Sequence, residues 1–247
     1  LDDPATVDRE WHAEDNTAAV DRYFDAIWVY GDPNVYDPIR VSPALASLRP
    51  PVSYTGYLAP RLSPSRGAGS GTRALCLVGG GQDGAALARA FAACEFTEDR
   101  SGLLVTGPFM PEAEILELEA MAARSAGLRI SRFVPEIAPL VEQATHVVAM
   151  GGYNTICELL ATGRRLLVVP RTVPRSEQRI RAERLHQLGR VDVLQADRLG
   201  PATIDRWLHS KPKRVVAAPV DLDGLSRLPE LMHRLFEPAA PRARACS

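Results

Sequence analysis

His146-Val147-Val148-Ala149-Met150-Gly151-Gly152-Tyr153-Asn154-Thr155-Ile156-Cys157-Glu158-Leu159-Leu160 is the stretch whose reading decides the fold. An apolar strand over 146–149 runs into two glycines, and a helix begins beyond them among Ile156, Leu159 and Leu160. Asn154 or Thr155 can cap that helix, and Gly151 and Gly152 leave its first N–H groups open to an anion. Glu158 then lies one turn in, roughly 6 Å along the axis at about 1.5 Å per residue.

The same alternation repeats on both sides of this unit. Short apolar strands are predicted at 74–78, 102–106, 128–130, 165–169 and 191–194, and helices at 83–93, 111–125, 137–143, 154–161, 176–188 and 201–208. Strands separated by helices need crossover connections, so the fold class is α/β, with a mostly parallel, Rossmann-like sheet flanked by helices. Upstream, residues 4–25 carry helical spacing and Ala26-Ile27-Trp28-Val29-Tyr30 runs as a strand into Gly31-Asp32-Pro33. A proline-rich stretch, a strand-like Val52-Ser53-Tyr54-Thr55-Gly56 and a loose Ser/Gly/Arg-rich segment at 60–72 follow, marking a boundary between two parts of the chain.

Composition excludes several classes. The 247 residues are 46% hydrophobic and 24% charged, an ordinary globular balance, and the net charge of −1 gives no general attraction to nucleic acid or anionic lipid. All but two of the basic residues are arginine, the exceptions being Lys211 and Lys213. Cys76, Cys94, Cys157 and Cys246 lie far apart with no C-x-x-C spacing, so a zinc knuckle or disulfide framework is not indicated and a cytoplasmic setting is expected. No apolar run approaches the roughly 20 residues that span a bilayer. The chain opens Leu1-Asp2-Asp3 without a methionine, and further sequence is expected upstream.

Three strand-to-helix loops could carry chemistry, because ligands of such sheets bind at the carboxyl ends of the strands. Gly79-Gly80-Gly81-Gln82-Asp83-Gly84 lets backbone amides approach an anion; alone it reads equally well as a tight connection. In the loop opening at Gly151, a diphosphate at the helix mouth would place its ribose near the Glu158 carboxylate, which accepts from two vicinal hydroxyls. Glu158 could also be a helix glutamate favoured by the N-terminal dipole. In the third loop, Pro170 to Gln178, Glu177 and Gln178 offer acceptor and donor groups to sugar hydroxyls, and Arg171 and Arg175 could offset diphosphate charge. Arg179 and Arg184 read better as a solvated basic face. Asp221-Leu222-Asp223 has the spacing of a metal-binding D-x-D but precedes a helix as a cap, and no second acidic cluster joins it. His12, His146, His186, His209 and His233 show no ligand spacing.

Taken together, Phe133-Val134-Pro135, the run through Thr155, Glu158, Gly163, the 166–170 strand, Glu177-Gln178 and residues 185–189 resemble the donor half of a GT-B glycosyltransferase of family 28, the MurG-like family, and within it a bacterial group of similar proteins. The resemblance covers about residues 52–208. It implies that the amides of Gly80, Gly81 and Gln82 and of Gly151, Gly152, Tyr153, Asn154 and Thr155 hold a donor diphosphate, Glu158 the ribose, Phe133 and the Val134 backbone the base, and Glu177 with Gln178 the sugar. The chain departs from the family where a paired glutamine is Glu177 and where an asparagine three positions beyond Gln178 is Arg181. Residues 1–57 resemble the end of the acceptor domain and the linker; 58–237 would be the donor-binding domain with a return helix, and 238–247 a disordered tail.

The implied function is transfer of a sugar from a nucleotide-diphospho-sugar, UDP-linked by resemblance, to an acceptor hydroxyl, with helix dipole and amides in place of a metal and with no cofactor. The general base would come from the acceptor domain, none of this chain's residues being catalytic, and the segment alone would bind nucleotide and be nearly inactive. The acceptor is unspecified, and the upstream part of the acceptor domain leaves room for peripheral membrane association. A nucleotide-sugar 2-epimerase and a non-catalytic donor-binding subunit of a split transferase are the alternatives. An NAD-binding module fits poorly, because Thr106-Gly107 stands where its ribose-binding acid belongs.

Overall fold

The computed structural model describes residues 2–60, 72–211 and 216–236. The loose segment and the tail expected to be disordered lie largely or wholly outside these residues.

The N-terminal part begins with α1 (Pro4–Ala13), whose start is set by Pro4 and by the Asp3 carboxylate accepting the Thr6 N–H at 3.1 Å. The helical spacing over 4–25 is interrupted at Asp15, which adopts a left-handed conformation (φ 50°), so a separate α2 (Asn16–Tyr23) follows. β1 (Ile27–Val29) comes next, and the proline-rich stretch holds two single-turn helices, α3 (Pro38–Val41) and α4 (Pro43–Ala46). Each begins with a proline and is capped by the preceding side chain, Asp37 or Ser42, which explains why a connector by composition contains helix. β2 (Val52–Tyr54) pairs in parallel with β1.

Beyond it lie β3 (Thr72–Leu77), α5 (Ala85–Ala92), β4 (Arg100–Val105), α6 (Glu112–Ala122), β5 (Leu128–Ser131), α7 (Ala138–Gln143), β6 (His146–Met150), α8 (Tyr153–Leu160), β7 (Arg165–Val169), α9 (Glu177–Gln187), β8 (Asp192–Val193), α10 (Pro201–His209) and α11 (Gly224–Phe236). The second sheet has six strands in the order β5-β4-β3-β6-β7-β8, and every pairing is parallel.

The strands read as unbroken apolar runs because both faces are covered. On β3, Cys76 and the following Val78 face a cluster with Leu87 and Phe91 of α5, Ile115 and Leu118 of α6, and Ile204 and Leu208 of α10. Leu75 and Leu77 point the opposite way, to a cluster with Val141 of α7, Ile156, Cys157, Leu159 and Leu160 of α8, and Ala182 and Leu185 of α9. Cys157 is thus a small buried apolar residue, free like Cys76 and Cys94. Burying this much aliphatic surface, at about 1.5–3 kcal/mol for each large side chain, is what makes the sheet the rigid platform of the site.

The two parts of the chain are clasped by polar contacts. Asp32, buried, accepts the Asn34 and Asp221 N–H groups, each at 2.8 Å. Asp221 receives the Tyr57 N–H on its carbonyl at 2.8 Å and pairs through its carboxylate with Arg227, which also donates to the Thr55 carbonyl. The Asp221-Leu222-Asp223 spacing therefore closes the return of the chain onto the linker, and α11 begins after it, at Gly224.

Candidate functional site

Strand order reverses between β3 and β6: the chain builds outward from β3 through β4 to β5, then returns to add β6 on the other side of β3. At such a switch point the loops leaving the two central strands diverge and open a crevice. A cleft of about 740 Å³ lies there, lined by Gly79 and Gly80 after β3, Gly107 and Pro108 after β4, Phe133 to Ala138 after β5, Asn154, Thr155 and Glu158 of α8, and Leu58 of the linker.

On α8 the N-cap is Gly152, so Asn154 and Thr155 lie inside the first turn and neither side chain caps the helix. Gly152 takes an extended backbone conformation (φ −59°, ψ 143°) open to any residue, and a β-carbon on it would meet nothing closer than 3.9 Å. The first intrahelical bond runs from the Ile156 N–H to the Gly152 carbonyl at 2.9 Å. The amides of Tyr153, Asn154 and Thr155 precede it and have no partner among the described residues, and the helix dipole adds to their pull on an anion. The Tyr153 ring lies stacked on Tyr57 (centroids 5.8 Å apart, planes 19° from parallel), and its hydroxyl accepts the Leu58 N–H at 3.1 Å. Burial pushes the Tyr57 hydroxyl up to about 12 and raises that of Tyr153 as well.

Glu158 points into the same cleft. Its carboxylate has no hydrogen-bond or ion-pair partner among the described residues, and partial burial alone raises its pKa above the ordinary glutamate value. An uncompensated, half-buried acceptor on the helix with three open donors is a pairing suited to a ligand carrying both negative charge and hydroxyls.

The glycine loop after β3 divides between roles. Gly80 lines the cleft, and its carbonyl accepts the Phe109 N–H at 2.8 Å. Gly81 (φ 94°) spends its own N–H on the Val78 carbonyl, and a β-carbon on it would fall 2.4 Å from the Thr106 carbonyl oxygen. Its glycine identity follows from the approach of the β4 loop. Gln82 is exposed and outside the lining. On the far wall Phe133 is 59% exposed at the cleft, with Val134 half-buried behind it.

The third loop sits to one side of the cleft. Gln178 is buried, with Oε1 accepting the Arg171 N–H at 3.3 Å and with its β-carbon 3.2 Å from where one on Gly151 would be. Glu177 lies 3.9 Å from Arg171 and 3.8 Å from Arg181. Arg171 pairs with Asp83 at 2.7 Å. Arg175, expected near the diphosphate, is engaged away from it: it meets Glu10 of α1 at 2.7 Å and buried Asp2 at 3.6 Å. The cleft thus gathers Gly80, Phe133, Val134, Asn154, Thr155 and Glu158, while Gly81, Gln82, Gly151, Gly152, Tyr153, Arg171, Arg175, Glu177 and Gln178 do not line it.

A residue known from the sequence only as a departure is central here. Arg181 is 8% exposed, donates from Nη1 to the Gly151 carbonyl at 2.9 Å, and lies 5.4 Å from the Tyr153 ring centroid. Its helical phase carries the signal: Gln178, Arg181, Ala182 and Leu185 form the buried stripe of α9, and an arginine on a buried stripe needs partners. Among the described residues no group of three histidine, cysteine, aspartate or glutamate side chains is placed to hold a metal ion. No helix of these residues is long and apolar enough to cross a membrane.

The glycosyltransferase family 28 C-terminal domain matches residues 74–211, more than half of the chain. The chain belongs to this family. No curated protein sequence matches it. Among solved structures, Acinetobacter baumannii MurG is similar over 88% of this chain and 74% of its own, at 15% identity and a TM-score of 0.53. The calicheamicin glycosyltransferase CalG4 is similar over 96% of this chain and 59% of its own, at 16% identity and a TM-score of 0.57. The kitacinnamycin glycosyltransferase covers 91% of this chain and 58% of its own, at 20% identity and a TM-score of 0.53. At these identities the likeness is one of fold, and two of the three neighbours are much longer than this family 28 chain.

Proposed function

We propose that this chain is the donor-binding half of a nucleotide-sugar-dependent glycosyltransferase, in which residues 58–237 hold the nucleoside diphosphate and residues 1–57 belong to the acceptor half. One observation carries the reading: the partnerless Glu158 carboxylate lies in the switch-point cleft, one turn along the helix whose first three amides are open. A diphosphate at the amides of Tyr153, Asn154 and Thr155, with Gly80 across the cleft, sets the ribose hydroxyls on Glu158 and turns the base toward Phe133 and the Val134 backbone. The sugar then extends toward the α9 start, where Glu177 and Gln178 lie. Amides and helix dipole stabilise the leaving diphosphate as charge develops on it, and the base that deprotonates the acceptor hydroxyl belongs to the acceptor half.

Titration of UDP, dTDP and GDP against the chain by calorimetry tests this. One of the three is expected to bind at micromolar to millimolar concentration, and Glu158→Ala is expected to weaken it by about 1–3 kcal/mol as hydrogen bonds to a charged acceptor are lost. Equal affinity in the variant removes Glu158 from the site.

A further inference from the structure

We infer that Arg181 is a positioning residue for the diphosphate: it orients and polarises the Gly151–Gly152 peptide from beneath and supplies buried positive charge behind it. The inference rests on the nucleotide reading above and goes beyond it, because Arg181 does not line the cleft.

The geometry is specific. The Arg181 Nη1 donor holds the Gly151 carbonyl at 2.9 Å in a buried setting. A trans peptide is planar, with its carbonyl and the following N–H pointing in opposite directions. Holding the Gly151 oxygen against the guanidinium therefore aims the Gly152 N–H away from Arg181. That N–H has no partner among the described residues, and it directly precedes the open amides of Tyr153, Asn154 and Thr155. A carbonyl bonded to a cation also draws electron density from its peptide, which strengthens the N–H on the other side as a donor.

The charge is only partly cancelled. The nearest carboxylate is Glu177, at 3.8 Å, outside the range of a direct charged hydrogen bond and shared with Arg171 at 3.9 Å. Further support comes from the face of the Tyr153 ring, with the guanidinium carbon 5.4 Å from its centroid, and from the Tyr57 hydroxyl beside it. Arg181 has almost no access to solvent, so its field at the helix mouth is weakly screened.

The test measures binding of UDP, dTDP and GDP, of their parent nucleosides, and of inorganic pyrophosphate to the full chain, with circular dichroism and thermal melting as fold controls. In Arg181→Gln the diphosphate that binds wild type is expected to lose about tenfold in affinity while its nucleoside is unchanged. Arg181→Lys, which keeps the charge, should recover part of the loss. Equal losses for diphosphate and nucleoside, or a lysine variant as weak as the glutamine one, would overturn the inference. If Arg181→Gln does not fold, Glu177→Gln decides: removing the counter-charge should tighten pyrophosphate and diphosphate binding, and unchanged binding overturns the proposal. A wild-type chain that binds none of the three diphosphates overturns the nucleotide reading and this inference together. Wild-type binding with an indifferent, folded Arg181→Gln overturns this inference alone.

Discussion

Glu158→Gln separates what the carboxylate does for a ligand from what it does to the fold. In the unliganded chain partial burial raises the pKa of Glu158, and no cation or donor offsets it. The folded state therefore holds the proton more tightly than the unfolded chain. The sign follows from linkage: this group favours folding below the ordinary glutamate pKa, and that contribution is lost as pH rises through the raised value. Glutamine carries no such titration, so the variant should gain stability relative to wild type on going from about pH 4 to pH 7. Binding moves the other way. Ribose hydroxyls donate to the ionised form, so nucleotide binding should release a proton and weaken as pH falls through the raised pKa. In the variant one neutral amide oxygen replaces a carboxylate that accepts two hydroxyls, a loss of about 1–3 kcal/mol, or roughly 5- to 150-fold in affinity at about 1.4 kcal/mol per decade. Urea unfolding at both pH values gives the first quantity, and calorimetry in two buffers of different ionisation enthalpy gives the second with its proton count. A variant that binds as tightly as wild type, with the same pH profile, would refute the reasoning.

Three further substitutions probe the frame of the site. Gly81→Ala forces a left-handed residue (φ 94°) to carry a β-carbon 2.4 Å from the Thr106 carbonyl oxygen, so it should cost about 2–5 kcal/mol in denaturant unfolding and disturb the β3 and β4 loops together. Tyr153→Phe removes the acceptor of the Leu58 N–H but leaves the stack on Tyr57, and should lower stability by about 0.5–1.5 kcal/mol with little change in nucleotide affinity. Arg175→Ala breaks a largely exposed pairing with Glu10 and also takes the cation from buried Asp2, so it should lower stability by about 1–3 kcal/mol in denaturant unfolding; nucleotide affinity by calorimetry is expected to stay as in wild type, because Arg175 does not line the cleft.

The sheet was legible because burial on both faces writes a strand as a continuous apolar run. Ala74 to Val78 and Leu166 to Val169 could not be mistaken for half-exposed strands, and the helices between them fixed the parallel pairing. What failed locally had local causes. The spacing of residues 4–25 does not show that Asp15 turns left-handed, and the prolines of 38 and 43 resemble a connector until their capping partners, Asp37 and Ser42, are seen to make first helical turns of them. The cap of α8 carries a similar ambiguity: Asn154 and Thr155 are good caps by type, but the helix begins at Tyr153 with Gly152 as its N-cap, so both lie inside the first turn.

For the site, sequence could assign residues to loops but not say which loops share a wall. Gly80 and Gly81 are adjacent and alike in composition, yet one faces the cleft and the other is consumed by a neighbouring carbonyl 2.4 Å from its absent β-carbon. Arg175 and Arg181 are both arginines near the same turn. The first is drawn off by Glu10, a partner 165 positions away that no local pattern reveals. The second sits in phase with Gln178, Ala182 and Leu185, and that phase is readable once α9 is known to be amphipathic. A charge on a buried stripe must be matched, and the groups around it include the Gly151 carbonyl, Glu177, the Tyr153 ring and the Tyr57 hydroxyl. The departure at Arg181 therefore couples α9 to the mouth of α8, so variation at this one buried position should change how strongly the helix mouth attracts an anion without altering any group that faces the cleft.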